Sequence, residues 1–277
     1  MKITVFTANQ SRHNYLVNLL SNISDELFVI QENVTISSDT IPSNYPVTDT
    51  MKKYFFNVMD AQKKIFGNPY INKKNNNIKI LPLKLGELNK CSLKILNNFL
   101  NSNVYIVFGS SYIKGELVEF LIQNKAINIH MGVSPYYRGT DCNFWALYDG
   151  NSHLVGSTIH FLSKGLDSGS MLYHALSEKV SDPFLYTMST VKSAFHSLLA
   201  RIKDQSIFKI EEQTQDKSKQ LRYSKKMEFT DKVVKEFLNK KINMTKEFDL
   251  SLFKDPYLLK KENFCILEWI NMKNRKQ

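Results

Sequence analysis

The sequence predicts an α/β fold: a mostly parallel sheet with helices on both faces, followed by a small mixed C-terminal extension. Three observations predict it. Short apolar and β-branched runs alternate with segments of helical period up to about residue 205, the pattern of strand–helix–strand units around a covered sheet. Some runs, such as Val104-Tyr105-Ile106-Val107-Phe108, are apolar throughout, as strands buried on both faces are. Beyond residue 205 the periodicity weakens and charge rises. The expected division is therefore 1–205 for the main body and 206–277 for the extension.

The elements follow in order. Residues 3–7 read as a strand, Ala8-Asn9-Gln10-Ser11 as a turn, and Tyr15, Leu16, Leu19 and Leu20 as one face of a helix. Leu27 to Ile30 is a second strand. Pro42 and Pro46 punctuate a polar loop. Thr48 then caps a helix with Met51, Phe55, Val58, Met59, Ile65 and Phe66 apolar, ended by Asn68-Pro69. Ile78 to Leu81 is a strand, and Leu93, Ile95, Leu96 and Leu100 suggest a helix. Strand 104–108, a helix through Leu117 and Leu121, and strand 126–130 complete the parallel pattern. Two further strands, 155–162 and 170–175, flank a Gly-containing loop. Asp182-Pro183 starts a helix, with Asp as cap and Pro at the first position. Phe184, Met188, Val191, Phe195, Leu198 and Ile202 give it an apolar face that would pack across the sheet.

With 277 residues, 43% hydrophobic, the chain can bury a full core and is not a disordered polymer. No apolar run approaches the roughly 18 residues of a membrane span. The start, Met1 to Phe6, lacks the features of a secretory signal. Three scattered cysteines, Cys91, Cys142 and Cys265, form no disulfide framework and fit a reducing, cytoplasmic setting. The net charge is +11, and residues 206–277 hold 17 of the basic and 11 of the acidic residues. That surplus suits an anionic partner. Tracts such as Lys73-Lys74-Asn75-Asn76-Asn77 read equally as a compositional bias.

The chemistry sits in two stretches. Asn128-Ile129-His130 ends a strand and runs into Met131-Gly132-Val133-Ser134-Pro135 and Tyr137-Arg138-Gly139. Residues i and i+2 of a strand share a face, so Asn128 and His130 project together where α/β sheets place ligands. The second stretch is Leu166-Asp167-Ser168-Gly169, 37 residues beyond His130 at Asp167. Alone, Asn-x-His is a polar pair at a strand end and Asp-Ser-Gly a turn. The chain between them is long enough to bring the Asp loop back over His130. His160 and His174 read as core or surface histidines, His153 as exposed, and Cys142 as a bystander. No Cys/His spacing suggests a metal site. Arg12 and His13 begin the first helix, whose N-terminus could receive a phosphate or could simply be solvated.

These stretches together resemble the 10-formyltetrahydrofolate-dependent formyltransferases, which include the methionyl-tRNA, glycinamide ribonucleotide and sugar N-formyltransferases. The resemblance covers Asn128-x-His130, the loop to Pro135, Tyr137-Arg138-Gly139, Gly156 to His160 and Asp167-x-Gly169, within residues 78–205. It implies a Rossmann-like fold, 10-formyltetrahydrofolate as formyl donor, and Asn128, His130 and Asp167 as catalytic residues. The reaction passes through a tetrahedral oxyanion. His130 and Asn128 would donate to it and Asp167 would take the amine's proton. Ser111, Tyr112 and Ile113 on one side and Ser163, Lys164, Gly165 and Leu166 on the other would bracket the donor, over Val133, Ser134 and Pro135. Lys114 departs from the apolar residue often found there.

The acceptor expected from the resemblance is a nucleotide-linked amino sugar that feeds surface polysaccharide. The extension is short for a methionyl-tRNA enzyme, and the first turn lacks the Gly-Ser-Asn of the glycinamide ribonucleotide enzymes. Arg12, Tyr137, Arg138 and Arg222 are the acceptor-binding candidates. The alternatives are methionyl-tRNA as acceptor, kept open by the charge, and a non-catalytic nucleotide- or nucleic-acid-binding relative. Neither nucleic acid nor membrane is expected as a partner. Residues 206–277 hold too much apolar material for a free tail, including Phe229, Phe237, Phe253, Phe264 and Trp269. They should brace the main body or join a homodimer interface.

Overall fold

The computed structural model describes residues 1–34, 41, 45–72, 76–244 and 248–260. The chain forms β1 (Lys2–Ala8), α1 (Ser11–Ser21), β2 (Glu26–Asn33), α2 (Asp49–Phe66), β3 (Ile78–Lys84), α3 (Leu93–Leu96), β4 (Val104–Phe108), α4 (Gly115–Gln123) and β5 (Ile127–His130). It continues with β6 (Tyr137–Gly139), α5 (Cys142–Tyr148), β7 (Ser157–Phe161), β8 (Met171–Ser177), α6 (Pro183–Lys203), β9 (Arg222–Ser224), α7 (Asp231–Asn239) and β10 (Tyr257–Leu259).

The main sheet runs β10-β8-β7-β5-β4-β1-β2-β3. Strand β7 is antiparallel to β5 and β8, and every other pairing is parallel. Strand alternation sends Ile3 and Val5 of β1 to one face and Phe6 to the other. The first face packs against Leu16 and Leu20 of α1 and Phe195 and Leu198 of α6. The second packs against Leu117 and Leu121 of α4. Each such side chain contributes about 1.5–3 kcal/mol on burial. The mostly parallel sheet with helices on both faces is the fold read from the sequence.

Local signals act as expected at the helix starts. Asp182 accepts from the Phe184 and Leu185 amides, each at 2.8 Å. Thr48 accepts from the Met51 amide at 3.1 Å. Three local readings are corrected. Strand β3 runs on through Pro82 to Lys84, because it lies at the sheet edge and the missing N–H needs no partner there. The helix expected over 93–100 is one α-turn, then a 3₁₀ turn at the polar Asn97–Phe99. His153 is half-buried rather than exposed, since it lies in the 3₁₀ turn Ser152–Leu154 between two buried neighbours. Pro42, Lys73, Lys74, Asn75, Phe264, Cys265 and Trp269 lie outside the described residues.

Beyond residue 205 the chain returns to the body. Strand β9 pairs with β6, and β10 joins the edge of the main sheet beside β8. Phe229 and Phe237 enter an aromatic cluster with Tyr54 of α2 and Phe144 of α5, with ring centres 4.6 Å apart for Phe144 and Phe237.

Candidate active site

Five neighbouring strands of the sheet are parallel, so their carboxyl ends open on one edge, where such sheets bind ligands. A cleft of about 690 Å³ lies there. Asn128, Ile129 and His130 form its floor, Gly109 to Ile113 one wall, and Leu162 to Asp167 much of the other. Arg12, Thr140, His160 and Tyr223 are also in its lining. A larger depression of about 970 Å³ lies at the opposite strand ends, lined by Lys2, Glu26, Lys79 and three asparagines. It holds no acid–base cluster comparable to that of Asn128, His130 and Asp167.

His130 ends β5. Its Nδ1 lies 3.3 Å from Asp167 Oδ1, and its Nε2 lies 3.3 Å from the Tyr137 carbonyl. Acceptors at both nitrogens suit the doubly protonated ring. Burial opposes the imidazolium, but the Asp167 carboxylate and the adjoining Cys142 outweigh it, so the His130 pKa is raised well above 6.5. For Asp167, burial favours the neutral acid, but His130 wins and the carboxyl pKa is lowered. The two form a buried, hydrogen-bonded ion pair.

Asn128 Nδ2 donates to His160 Nε2 at 2.9 Å and lies 3.4 Å from Asp167 Oδ1. His160 Nδ1 donates to its neighbour's carbonyl at Phe161, at 2.8 Å. That bond leaves Nε2 as an acceptor, so His160 is the neutral tautomer. Burial, the largest cause, drives its pKa down to about 4.

Close approach explains two glycines. A Cβ at Gly132 would fall 2.6 Å from His130 Nε2 and 2.5 Å from Cys142 Cβ. One at Gly169 would fall 1.7 Å from the Phe161 carbonyl oxygen. Between them Asp167 takes a left-handed backbone, φ 47°.

The structure gathers Asn128, His130, Asp167, Ser111, Tyr112, Ile113, Ser163, Gly165, Leu166 and Arg12 around one cleft. Several expected contacts lie elsewhere. Val133 and Ser134 are fully buried, and Pro135 with them, behind the floor; the Ser134 amide donates to Thr158 Oγ1. Ser111 turns its amide and hydroxyl to the buried Glu32 carboxylate, at 2.6 and 2.8 Å, instead of to the cleft. Lys164 points to Glu119, though its carbonyl accepts from the Tyr112 hydroxyl across the cleft.

Of the acceptor candidates, Arg12 lines the cleft, and Tyr137, Arg138 and Arg222 do not. Tyr137 is buried, with its hydroxyl on Asp149. Arg138 is buried and donates to the carbonyls of Leu166 and Asp167, so it holds the loop. Arg222 makes two bonds to Asp149 and stacks on Trp145, outside the cleft. Its neighbour Tyr223 faces the cleft instead, because successive strand residues point to opposite faces. Arg12 lines the cleft; Nη1 donates to Gln62 at 2.7 Å, and Nε has no hydrogen-bond partner among the described residues. Burial lowers its pKa to about 10. His13 is core, bonded to Thr7 and packed on Phe108.

Sequence reasoning missed four residues. His160 was read as core, but the β5–β7 register sets it opposite Asn128. Glu32 ends a strand beside the cleft and gave no signal. Cys142 was read as a bystander, yet its thiol adjoins His130. The Tyr223 position was detectable from alternation once β9 was known. Among the described residues no three His, Cys, Asp or Glu side chains group as a metal site.

The formyl transferase family model matches residues 93–201, which hold Asn128, His130, Asp167 and both walls. Methionyl-tRNA formyltransferase from Desulforamulus reducens is 41% identical over 46 residues, 17% of this chain and 14% of that protein. The match thus spans about a seventh of that relative. Among solved structures, a sugar N-formyltransferase from a Shewanella species aligns with TM-score 0.52 and 14% identity, over 95% of this chain and 94% of that one. A 4-N formyltransferase from Francisella tularensis gives 0.51 and 17%, over 82% and 77%. Glycinamide ribonucleotide transformylase 1 from Symbiobacterium toebii gives 0.52 and 14%, over 78% and 94%. At these identities the likeness is one of fold. Residues 93–201 thus match the formyl transferase family model, and the chain shares the fold of these solved formyltransferases.

Proposed function

We propose that the chain is an N-formyltransferase that moves a formyl group from 10-formyltetrahydrofolate to the amine of a nucleotide-linked amino sugar, for surface polysaccharide biosynthesis. One observation carries the reading: Asn128, His130 and Asp167 meet on the floor of a cleft of about 690 Å³. Small-molecule sites commonly measure about 300–1,000 Å³. The flanking walls, 109–113 and 162–167, offer main-chain groups suited to the edge of a pterin ring.

The chemistry follows from the charges. The acceptor amine, in its neutral form, adds to the formyl carbon. A carbon–nitrogen bond forms and the carbonyl electrons move onto oxygen. The His130 imidazolium faces that developing oxyanion and lowers its energy. Asp167, ionised beside His130, takes the proton that the new N–C bond makes acidic. The intermediate then collapses: the carbonyl re-forms, the bond to N10 breaks, and N10 leaves with a proton relayed from His130. The products are the formamide and tetrahydrofolate. Arg12, a cation in the cleft lining, suits an anionic part of the acceptor.

The amino-sugar acceptor is the reading of the resemblance. Methionyl-tRNA is the second reading, favoured by the 46-residue match to a methionyl-tRNA formyltransferase and the net charge of +11. A cytoplasmic homodimer is part of the proposal. The buried positions of Phe229, Phe237, Phe253 and Leu259 within one chain favour bracing as the role of residues 206–260. A panel of dTDP-, UDP- and GDP-linked amino sugars, with methionyl-tRNA alongside, tests the acceptor with 10-formyltetrahydrofolate as donor. Formylation of a nucleotide sugar alone is expected. Formylation of methionyl-tRNA alone would overturn the sugar reading, and no formylation would leave the non-catalytic binding reading.

A further inference from the structure

We propose that Gln215, from the segment after α6, is a positioning residue that sets the Asp167 carboxylate for catalysis. The inference rests on the formyl-transfer reading for its activity arm alone.

Gln215 is buried, 7% exposed, and points into the back of the Asp167 loop. Its Nε2 donates to the Asp167 carbonyl and to the Gly169 carbonyl, both at 2.8 Å. Both amide hydrogens are therefore spent on one turn. The turn needs holding. Asp167 is a non-glycine residue with φ 47°, a left-handed conformation that persists only where surroundings impose it. Arg138 supplies the other restraint, with Nε 3.3 Å from the same Asp167 carbonyl and Nη2 3.0 Å from that of Leu166. Two donors from different parts of the chain thus converge on one carbonyl oxygen.

Gln215 is itself fixed at both ends of its segment. Gln213 and Met171 exchange two main-chain bonds of 2.8 Å. The Leu221 and Arg222 amides both donate to the Tyr136 carbonyl, at 2.9 and 3.0 Å. The Gln220 side chain also accepts from Arg138 Nη1 at 3.3 Å. Residues 213–224 therefore form a rigid strap behind the Asp167 turn. On the far side of that turn, Asp167 Oδ1 faces His130 Nδ1 at 3.3 Å, Asn128 Nδ2 at 3.4 Å and His160 Nε2 at 3.9 Å. A small rotation of the backbone at Asp167 moves its carboxylate from all three together. Displacement of a reacting group by about 1 Å can cost up to a hundredfold in rate.

The test uses Gln215→Met, which keeps length and bulk and removes both donors. The charged and titratable groups around His130 are Asp167, Cys142 of α5, His160 of β7, His174 of β8 and Arg138 of β6. Only the Asp167 geometry is altered by the substitution. NMR titration of His130 in the folded protein should show its pKa falling toward the ordinary histidine value. The kcat for formyl transfer should fall by about tenfold to a hundredfold, with KM changed by less than about twofold. Ile207→Val, which trims a buried residue of the same segment without touching the loop, should leave both readouts unchanged. Should the Met variant fail to fold, Gln215→Asn, one methylene short of both carbonyls, should move both readouts in the same direction by less. A His130 titration in the folded variant that coincides with wild type overturns the proposal, whatever the activity. If wild type formylates no acceptor, the functional reading fails and the titration still decides the role of Gln215.

Discussion

Asn128 Nδ2 lies 2.9 Å from His160 Nε2, across the antiparallel pairing of β5 and β7. The bond fixes the plane of the Asn128 amide and the side of it that faces the cleft. Removing His160 leaves that amide with the longer 3.4 Å contact to Asp167 Oδ1 and a weaker hold on its plane. His160→Ala should lower kcat about tenfold with the His130–Asp167 pair intact. Asn128→Ala removes the group itself, and should cost about 2.7–4 kcal/mol of barrier if it donates to the oxyanion. Steady-state kinetics with both variants test the order: an equal loss from both would mean that Asn128 acts only through His160.

Glu32 holds the wall opposite the Asp loop. It is fully buried and accepts from the Ser111 amide, the Ser111 hydroxyl and the Gly86 amide. Glu32→Leu should loosen residues 109–113, which flank the proposed donor site and not the reacting groups. The KM for the folate donor should rise about tenfold with kcat little changed. A fall in kcat at constant KM would assign the wall to chemistry instead.

Acid should unfold the protein through its neutral histidines. His160, His174 and His196 are held down to about 4, and His13 well below 6.5, burial being the largest cause for each. As pH falls below 6.5, the unfolded chain binds protons that the folded chain refuses. Stability should fall by about 1.4 kcal/mol per pH unit for each such proton, approaching about four protons near pH 5. The His130–Asp167 pair has the opposite signs. The share of His130, whose pKa is raised, is full below 6.5 and is lost as pH rises through the raised value. The share of Asp167, whose pKa is lowered, is full above 3.8 and is lost as pH falls through the lowered value. The pair is thus at full strength between 3.8 and 6.5. Urea unfolding from pH 7 to 5 should show the net loss; a flat profile would mean that these histidines protonate in the folded state.

Removal of everything after residue 205 should not leave a working domain. It takes away Gln215, β9, edge strand β10 and the two rings that pack on Tyr54 and Phe144. The single change Phe229→Ala should already cost about 3–5 kcal/mol, as large-to-small changes of buried aromatics do. Thermal unfolding checks both, and a soluble, active truncated protein would show that residues 206–277 serve neither packing nor catalysis.

Seven of the strands, α2 and α6 were legible because their signals are local: apolar runs, a Thr48 cap, an Asp182-Pro183 start; the three-residue β6, β9 and β10 carry no such run and were not read. Asn128, His130 and Asp167 were legible as a motif resemblance, with strand alternation explaining the first two. The rest depends on contacts between distant segments. The tie from Asn128 to His160 needs the β5–β7 register. Arg222 looked free to reach an acceptor until Asp149 and Trp145 came within its reach through β9. Ser111 looked open to a ligand until β2 brought Glu32 beneath it. Gln215 has no local pattern; its role exists only because the chain returns behind the Asp loop.

The most direct measurement follows release of tetrahydrofolate and appearance of the formamide together, using 10-formyltetrahydrofolate and the best nucleotide-linked amino sugar from the panel. Wild type should form the two in equal amounts. His130→Ala and Asp167→Ala, each folded by circular dichroism, should form neither, because the proposed oxyanion donor and base are those side chains. Near wild-type turnover by either variant would contradict the assignment of the chemistry to the His130–Asp167 pair.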